Sequence, residues 1–217
     1  DKFYMDKYPV TNSMFHKFIQ QTNYKTDPEK KAFGRVRHGS KWEKMKGLNW
    51  SNPVGSKDMP DDDLPVTQIS WNDAKEYCQW AGKKLPTEAQ WEKSARGKDG
   101  SKYPWGNEAP DDSIANFNQF NDDLTPVKQF DKGQSFFGVF DMAGNAMEWC
   151  RDGYVEYNHR ERPSNNPFEK PNKYRVVKGS AYLEGPTSLR SARRQGHKPD
   201  YSNNILGFRC VKEIEKE

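Results

Sequence analysis

The stretch FGVFDMAGNAMEWC, Phe137 to Cys150, sets a turn-former, oxygen donors and aromatic anchors side by side. If Asp141 to Glu148 forms a loop, Asp141 and Glu148 supply carboxylates and Gly144 and Ala146 supply backbone carbonyls. Several hard oxygen ligands at flexible geometry suit Ca²⁺. The residues alone leave a second reading open, in which Gly144-Asn145 is a turn ahead of a buried strand and Glu148 is solvated.

Working outward, Phe3–Thr11 reads as a short strand carrying Tyr4, Met5 and Tyr8. The chain opens abruptly on it, which leads to the expectation that a leader or further domain has been removed. Thr11 or Asn12 then caps a helix through about Gln21, with Met14, Phe15, Phe18 and Ile19 on one face. Residues 25–63 read as a polar surface insertion anchored by isolated Trp42 and Trp50, without a core of its own. Within it, Asn49-Trp50-Ser51 matches a glycosylation acceptor, a tripeptide common by chance. A β-like run covers Leu64–Ile69, and a second helix starts at Asn72 or Asp73 and stops at Gly82. Thr87 and Gln90 form a capping box for a third helix to about Arg96. Beyond Gly97 the chain is turn-rich, with anchors at Tyr103-Pro104-Trp105-Gly106, Asn116-Phe117 and Pro126-Val127. RVVKGSAY and LGFRCV read as strands.

The 217 residues fit one domain spanning 1–217 and suffice for a substantial core. Hydrophobic content is only 33%, but 7 Trp, 10 Tyr and 12 Phe compensate, because each aromatic buries far more area than an aliphatic residue. Lys and Arg total 35 against 31 Asp and Glu, dispersed in both signs for a net +4, so no strong field for nucleic acid or a membrane surface follows. No apolar run reaches the length of a membrane span. Cys78, Cys150 and Cys210 are too scattered for a zinc site, and His16, His38, His159 and His197 lack metal-ligand spacing and default to surface or loop positions.

In order along nearly the whole chain, FYMDKYPVTNSMFHKFI, PVTQISWNDAKEYCQWAGKKLPTEAQWEKSARG, YPWG, FGVFDMAGNAMEW, RVVKGSAY and LGFRC resemble the formylglycine-generating enzyme (sulfatase-modifying factor) family. The resemblance implies an α+β fold, a divergent C-type-lectin-like architecture with small antiparallel sheets, few short helices and long loops braced by calcium. It implies one Ca²⁺ site at Asp141, Gly144, Ala146 and Glu148, and a second beginning at Asn116 and Phe117, whose remaining ligands fall in a shortened loop at Gln119 to Asp123. It also implies a Cys78–Cys210 disulfide, hence the periplasm, a secretory lumen or the outside. Two touching thiols in a reducing cytosol are the alternative. Cys150 has no family partner and reads as a small buried hydrophobe.

One passage departs from the family. Its copper-dependent members hold the metal with two cysteines, soft ligands suited to Cu(I). Here KGSAYLEGPTSLRSARR has none: Glu184 takes the first position, the second falls in a deletion before Arg190, Ala181 replaces a serine and Met147 a tryptophan. No copper is therefore expected. Glu184 with Arg190, Arg193 or Arg194 reads either as a polar pocket or as a solvated ion-pair cluster. The expected function is a non-catalytic binding or assembly module with a peptide or protein ligand in the groove and no nucleic-acid partner. The alternative is a divergent oxidoreductase, with Glu184 and His197 as its candidate acid or base.

Overall fold

A computed structural model of the chain describes residues 2–38, 41–56, 58–121, 123–156 and 167–214. His159 lies outside them.

Helix α1 (Asn12–Thr22) begins where Thr11 Oγ1 accepts from the Met14 backbone N–H (3.4 Å), and it stops at Asn23 in the left-handed region. Its inner face brings Phe15 into a stacked contact with Tyr77 (5.7 Å between centroids) and Phe18 edge-on to the same ring. Tyr77 sits on α3 (Trp71–Trp80). That helix starts earlier than the sequence predicts, because Ser70 and Asp73 exchange hydrogen bonds in a capping box (3.1 and 2.9 Å). The box predicted at Thr87 and Gln90 does start α4 (Glu88–Arg96). A short α2 (Asp27–Lys31) precedes a hairpin of β2 (Phe33–His38) and β3 (Lys41–Lys46).

Of the two aromatic anchors expected in residues 25–63, Trp50 is buried against Phe15 and Trp42 is not, and the segment carries a hairpin that the sequence did not suggest. Its anchors are Val36, Leu48 and Trp50, all buried, while Trp42 is 44% exposed. The expected strand over Leu64–Ile69 is absent: Pro65 makes only an isolated bridge to Thr11, although Val66 and Ile69 lie in the core. Pro65 offers no N–H to a ladder, which limits pairing there.

Strands β1 (Phe3–Met5) and β8 (Val211–Glu213) pair antiparallel. The other sheet runs β6 (Arg194–His197), β5 (Arg175–Lys178), β4 (Met147–Gly153), β7 (Leu206–Gly207). It is mixed rather than antiparallel, since β7 runs parallel to β4. The long connection from β4 through β5 and β6 gives the chain room to return in the same direction. LGFRCV is split between β7 and β8, with Phe208 to Cys210 bridging core and edge. Cys78 and Cys210 form a disulfide that ties α3 to this closing segment, their Cα atoms 5.8 Å apart. No helix among the described residues is long and apolar enough to cross a membrane.

Candidate functional site

The turn before β4 is shaped by three consecutive demands. Asp141, Gly144 and Asn145 all adopt positive φ (56°, 85° and 59°). At Gly144 a side chain is excluded outright, because a Cβ would stand 2.3 Å from the Asn116 carbonyl oxygen. Asn145 is the keystone: its Oδ1 accepts from Thr125 N (3.0 Å) and Asn116 Nδ2 (3.3 Å), while its Nδ2 donates to the Thr125 carbonyl (3.0 Å). The turn thus fixes where Asp141, Gly144 and Ala146 point.

Glu148 is 1% exposed, which overturns its reading as a solvated side chain. Arg209 donates to both of its oxygens and Trp91 Nε1 donates to Oε2 (2.8 Å). Oε2 therefore receives two bonds and Oε1 one, leaving Oε1 spare accepting capacity. Burial pushes the Asp141 carboxyl up to about 6, against the opposing effects of the Lys128 backbone N–H and the Arg209 charge. Among the described residues no three His, Cys, Asp or Glu side chains group as a metal site. A cation here would lean on backbone carbonyls beside Asp141 and Glu148, and that donor set of hard oxygens fits Ca²⁺ chemistry.

Asn116 and Phe117 are differently engaged. Asn116 Nδ2 donates to the Asp123 carbonyl (2.8 Å), its Oδ1 accepts from Asn121 (3.2 Å), and the Phe117 carbonyl accepts from Phe120 N (3.1 Å). The pair closes the 116–125 loop on itself and on Asn145.

Glu184 follows a segment that meets this turn, where Tyr182 N donates to the Asn145 carbonyl (3.0 Å), and its side-chain contacts decide between pocket and solvated cluster. Arg193 grips it bidentately, with Nη1 on Oε2 and Nη2 on Oε1 (2.8 Å). Ser180 Oγ donates to Oε2 (3.1 Å), Ala181 N donates to it at 3.4 Å, and Arg37 Nη1 stands 3.9 Å from Oε1. The side chain is 11% exposed, so the group lines a mostly buried polar wall. Arg190 is exposed, and Arg194 turns away to hold Glu88 (2.7 and 2.9 Å). His197 is half-buried on β6. It stacks on Tyr201 (4.4 Å, 7°) and meets Trp149 edge-on, and burial, aided by the Arg35 charge, lowers its pKa. Among the described residues no hydrogen bond or ion pair links Glu184 to His197, so the contacts do not join them into one acid-base unit.

A family model for the sulfatase-modifying factor enzyme 1-like domain matches residues 1–214. The chain belongs to this family. The formylglycine-generating enzyme of Bos taurus is 35% identical over 247 residues, covering 97% of this chain and 66% of that protein. Serine/threonine-protein kinase Pkn1 of Chlamydia trachomatis serovar L2 is 35% identical over 217 residues, covering 98% of this chain and 33% of the kinase. A bovine relative called inactive C-alpha-formylglycine-generating enzyme 2 is 29% identical across 96% of this chain and 76% of its own length. The chain therefore spans less than two thirds of the bovine enzyme and a third of the kinase. In fold it is similar to PvdO from Pseudomonas aeruginosa, with a TM-score of 0.77 at 23% identity over 98% of this chain and 80% of that one.

Within this family member, sequence reasoning missed the residues that hold the site together. Arg209 and Lys178 are fully buried cations, and Lys178 Nζ meets Glu92 at 2.8 Å. Asn145 carried a signal, being part of a Gly-Asn pair in a turn. A lone Arg in LGFRCV carried none, since arginine ordinarily reads as exposed.

Proposed function

We infer that this chain is a family member without copper-dependent formylglycine generation, serving as a calcium-braced module that binds a peptide or protein in the groove beside Glu184. One observation carries the reading. At the position that the resemblance assigns to the first catalytic cysteine stands a carboxylate held by Arg193, Ser180 and the Ala181 amide. The chain's three cysteines are otherwise committed: Cys78 and Cys210 are bonded to each other and Cys150 is buried. Paired thiolates, the soft donors that Cu(I) selects, have no place in that wall, so the residues do not fit the family's metal.

Asp141, Gly144, Ala146 and Glu148 do fit a hard cation, and calcium there would stiffen the turn that positions β4 against the groove. A similar bovine protein carries the name of an inactive formylglycine-generating enzyme, which is consistent with loss of activity elsewhere in the family. The disulfide supports an extracytoplasmic setting. The divergent oxidoreductase reading is weaker, because Glu184 is tied up in ion pairs and His197 is packed on Tyr201.

The test is direct. Purified protein is incubated with a CxPxR peptide, oxygen and Cu(I), and the peptide is followed by mass spectrometry while metals are counted on the untreated protein. Unmodified peptide and bound calcium are expected. Conversion of the peptide cysteine to formylglycine, abolished by Glu184→Ala in a folded variant, reverses the reading.

A further inference from the structure

The β2–β3 hairpin has two unlike faces. Its register sets Phe33 opposite Lys46, Arg35 opposite Lys44 and Arg37 opposite Trp42. Residues opposed in an antiparallel pair share a face, so this one is basic and aromatic throughout. The other face turns inward: Val36 is fully buried, and a Cβ on Gly34 would lie 2.5 Å from Gln68 Oε1 and 2.8 Å from Leu48 Cβ. The far side of β2 is tied to the body, where the Arg35 carbonyl accepts from Asn204 N (3.2 Å) and Gln68 Nε2 (2.7 Å) and Arg37 N donates to Asn204 Oδ1 (2.9 Å).

The outer strand has no such partner. Among the described residues no strand pairs with the second edge of β3, and every residue of β3 except Met45 is exposed. A strand with an open edge is a template for another extended chain. Lys41, Lys44 and Lys46 select which chain. A second copy would bring the lysines of two strands together, whereas a strand alternating acid and apolar residues would set carboxylates beside Lys44 and Lys46, which share a face. Glu43 is the strand's single acid. The rings do not favour nucleic acid, which needs aromatic platforms for its bases. Lys44 Nζ already sits 3.6 Å from the Phe33 centroid, Arg37 lies over Trp42 at 5.9 Å and Arg35 over Tyr201 at 4.8 Å.

We propose that the open edge of β3 docks an extended acidic segment of a partner protein, which adds to the β2–β3 sheet as a third strand. The backbone ladder supplies affinity and register. Lys44 and Lys46, on one face, meet its carboxylates directly, and Lys41 on the other adds to the positive field. Arg37 links this face to the wall at Glu184, lying over Trp42 and 3.9 Å from Glu184 Oε1, but the docking edge is the β3 backbone, which the groove reading does not use.

The experiment uses the whole chain and a fluorescein-labelled peptide of about ten residues alternating Glu and Val, a typical strand's length, read by anisotropy at low and high salt. Saturable binding weakened by salt is expected. The Lys41→Glu, Lys44→Glu, Lys46→Glu triple variant should bind at least about tenfold more weakly. A peptide with alternate backbone nitrogens methylated, which keeps the charge but cannot form the ladder, should lose a similar factor on the unaltered protein. Lys75→Glu, the same charge reversal on the exposed side of α3, should leave binding unchanged. If the triple variant unfolds, as judged by circular dichroism, Lys44→Glu alone replaces it. The proposal is overturned if the Glu-Val peptide does not bind, if a Lys-Val peptide binds as well, or if methylation makes no difference. Loss of binding in Lys75→Glu, or tighter binding of oligothymidylate than of the acidic peptide, also overturns it.

Discussion

Arg209 holds Glu148 with two side-by-side hydrogen bonds, Nη2 to Oε1 and Nε to Oε2, both 2.7 Å, where neither side chain meets solvent. The same guanidinium donates from Nη2 to the Phe140 carbonyl (2.8 Å) and from Nη1 to the Asp6 carbonyl (3.2 Å). One side chain therefore ties β4 to the turn before it and to the segment after β1.

Breaking this pair from one side leaves a buried carboxylate without its counter-charge. Arg209→Met is expected to cost about 3–5 kcal/mol in urea unfolding, whereas Arg209→Met with Glu148→Leu should recover a substantial part. Equal losses in the single and double variants would mean that packing of the guanidinium stem, and not the charge, dominates.

The Cys78–Cys210 bond closes a separation of 132 residues. Loop-closure entropy for so long a loop gives an upper figure of about 5 kcal/mol, and measured losses generally fall at about 2–5. For a chain of this size each kcal/mol moves the melting midpoint by about 2–4 °C. Paired Cys78→Ser and Cys210→Ser substitutions should lower it by about 5–20 °C, and dithiothreitol should have no further effect on the variant.

What the sequence disclosed depended on whether a residue's job matched its usual one. Thr11 and Thr87 are helix caps doing what threonine does, and both were legible. Ser70 was passed over because Asn72 and Asp73, equally good cap formers by type, follow it; in the structure Asp73 serves as the reciprocal partner instead. FGRVRH and KWEKMK look like loop because most of β3 faces water and the hairpin is secured by cross-strand stacking and the anchor at Asn204. The turn at Asp141 was legible by its composition and by the family's motif. Its clasp, Arg209, was not, because nothing local marks an arginine that will be buried sixty residues away from its partner.

Asp73 gives a pH signature. It accepts from Tyr24 Oη (3.0 Å), Asp27 N (2.9 Å) and Ser70 N (2.9 Å), yet burial dominates and raises its carboxyl to about 6. In the unfolded chain it ionises near the ordinary aspartate value of about 3.9. Between the two values the unfolded state has lost its proton and the folded state has kept it, so Asp73 lowers stability as pH rises from about 4 to 6. The total is on the order of 2–3 kcal/mol. The difference in unfolding free energy between the wild type and Asp73→Asn should show that slope and flatten above about pH 7. A flat difference across the whole range would show that the three donors fully offset the burial.

Calcium supplies the last prediction, and it rests on the geometry of the turn. Glu148 Oε1 has accepting capacity left after Arg209, Asp141 is partly buried, and Gly144 is pinned against Asn116. A ligand that binds only the folded state at a hundred times its dissociation constant adds about 2.7 kcal/mol. Saturating calcium should then raise the melting midpoint by about 5–10 °C over protein in EGTA. Asp141→Ala should remove that increment while leaving the midpoint in EGTA equal to or above that of the wild type, because it deletes a partly buried carboxyl, raised to about 6 by burial, that has no ion-pair partner among the described residues. Asn116→Ala is the contrasting variant: it should lower the midpoint with and without calcium alike, since it removes the loop's internal hydrogen bonds to Asp123 and Asn145. If the wild type melts at the same temperature in calcium and in EGTA, the oxygens at this turn serve only to shape the backbone.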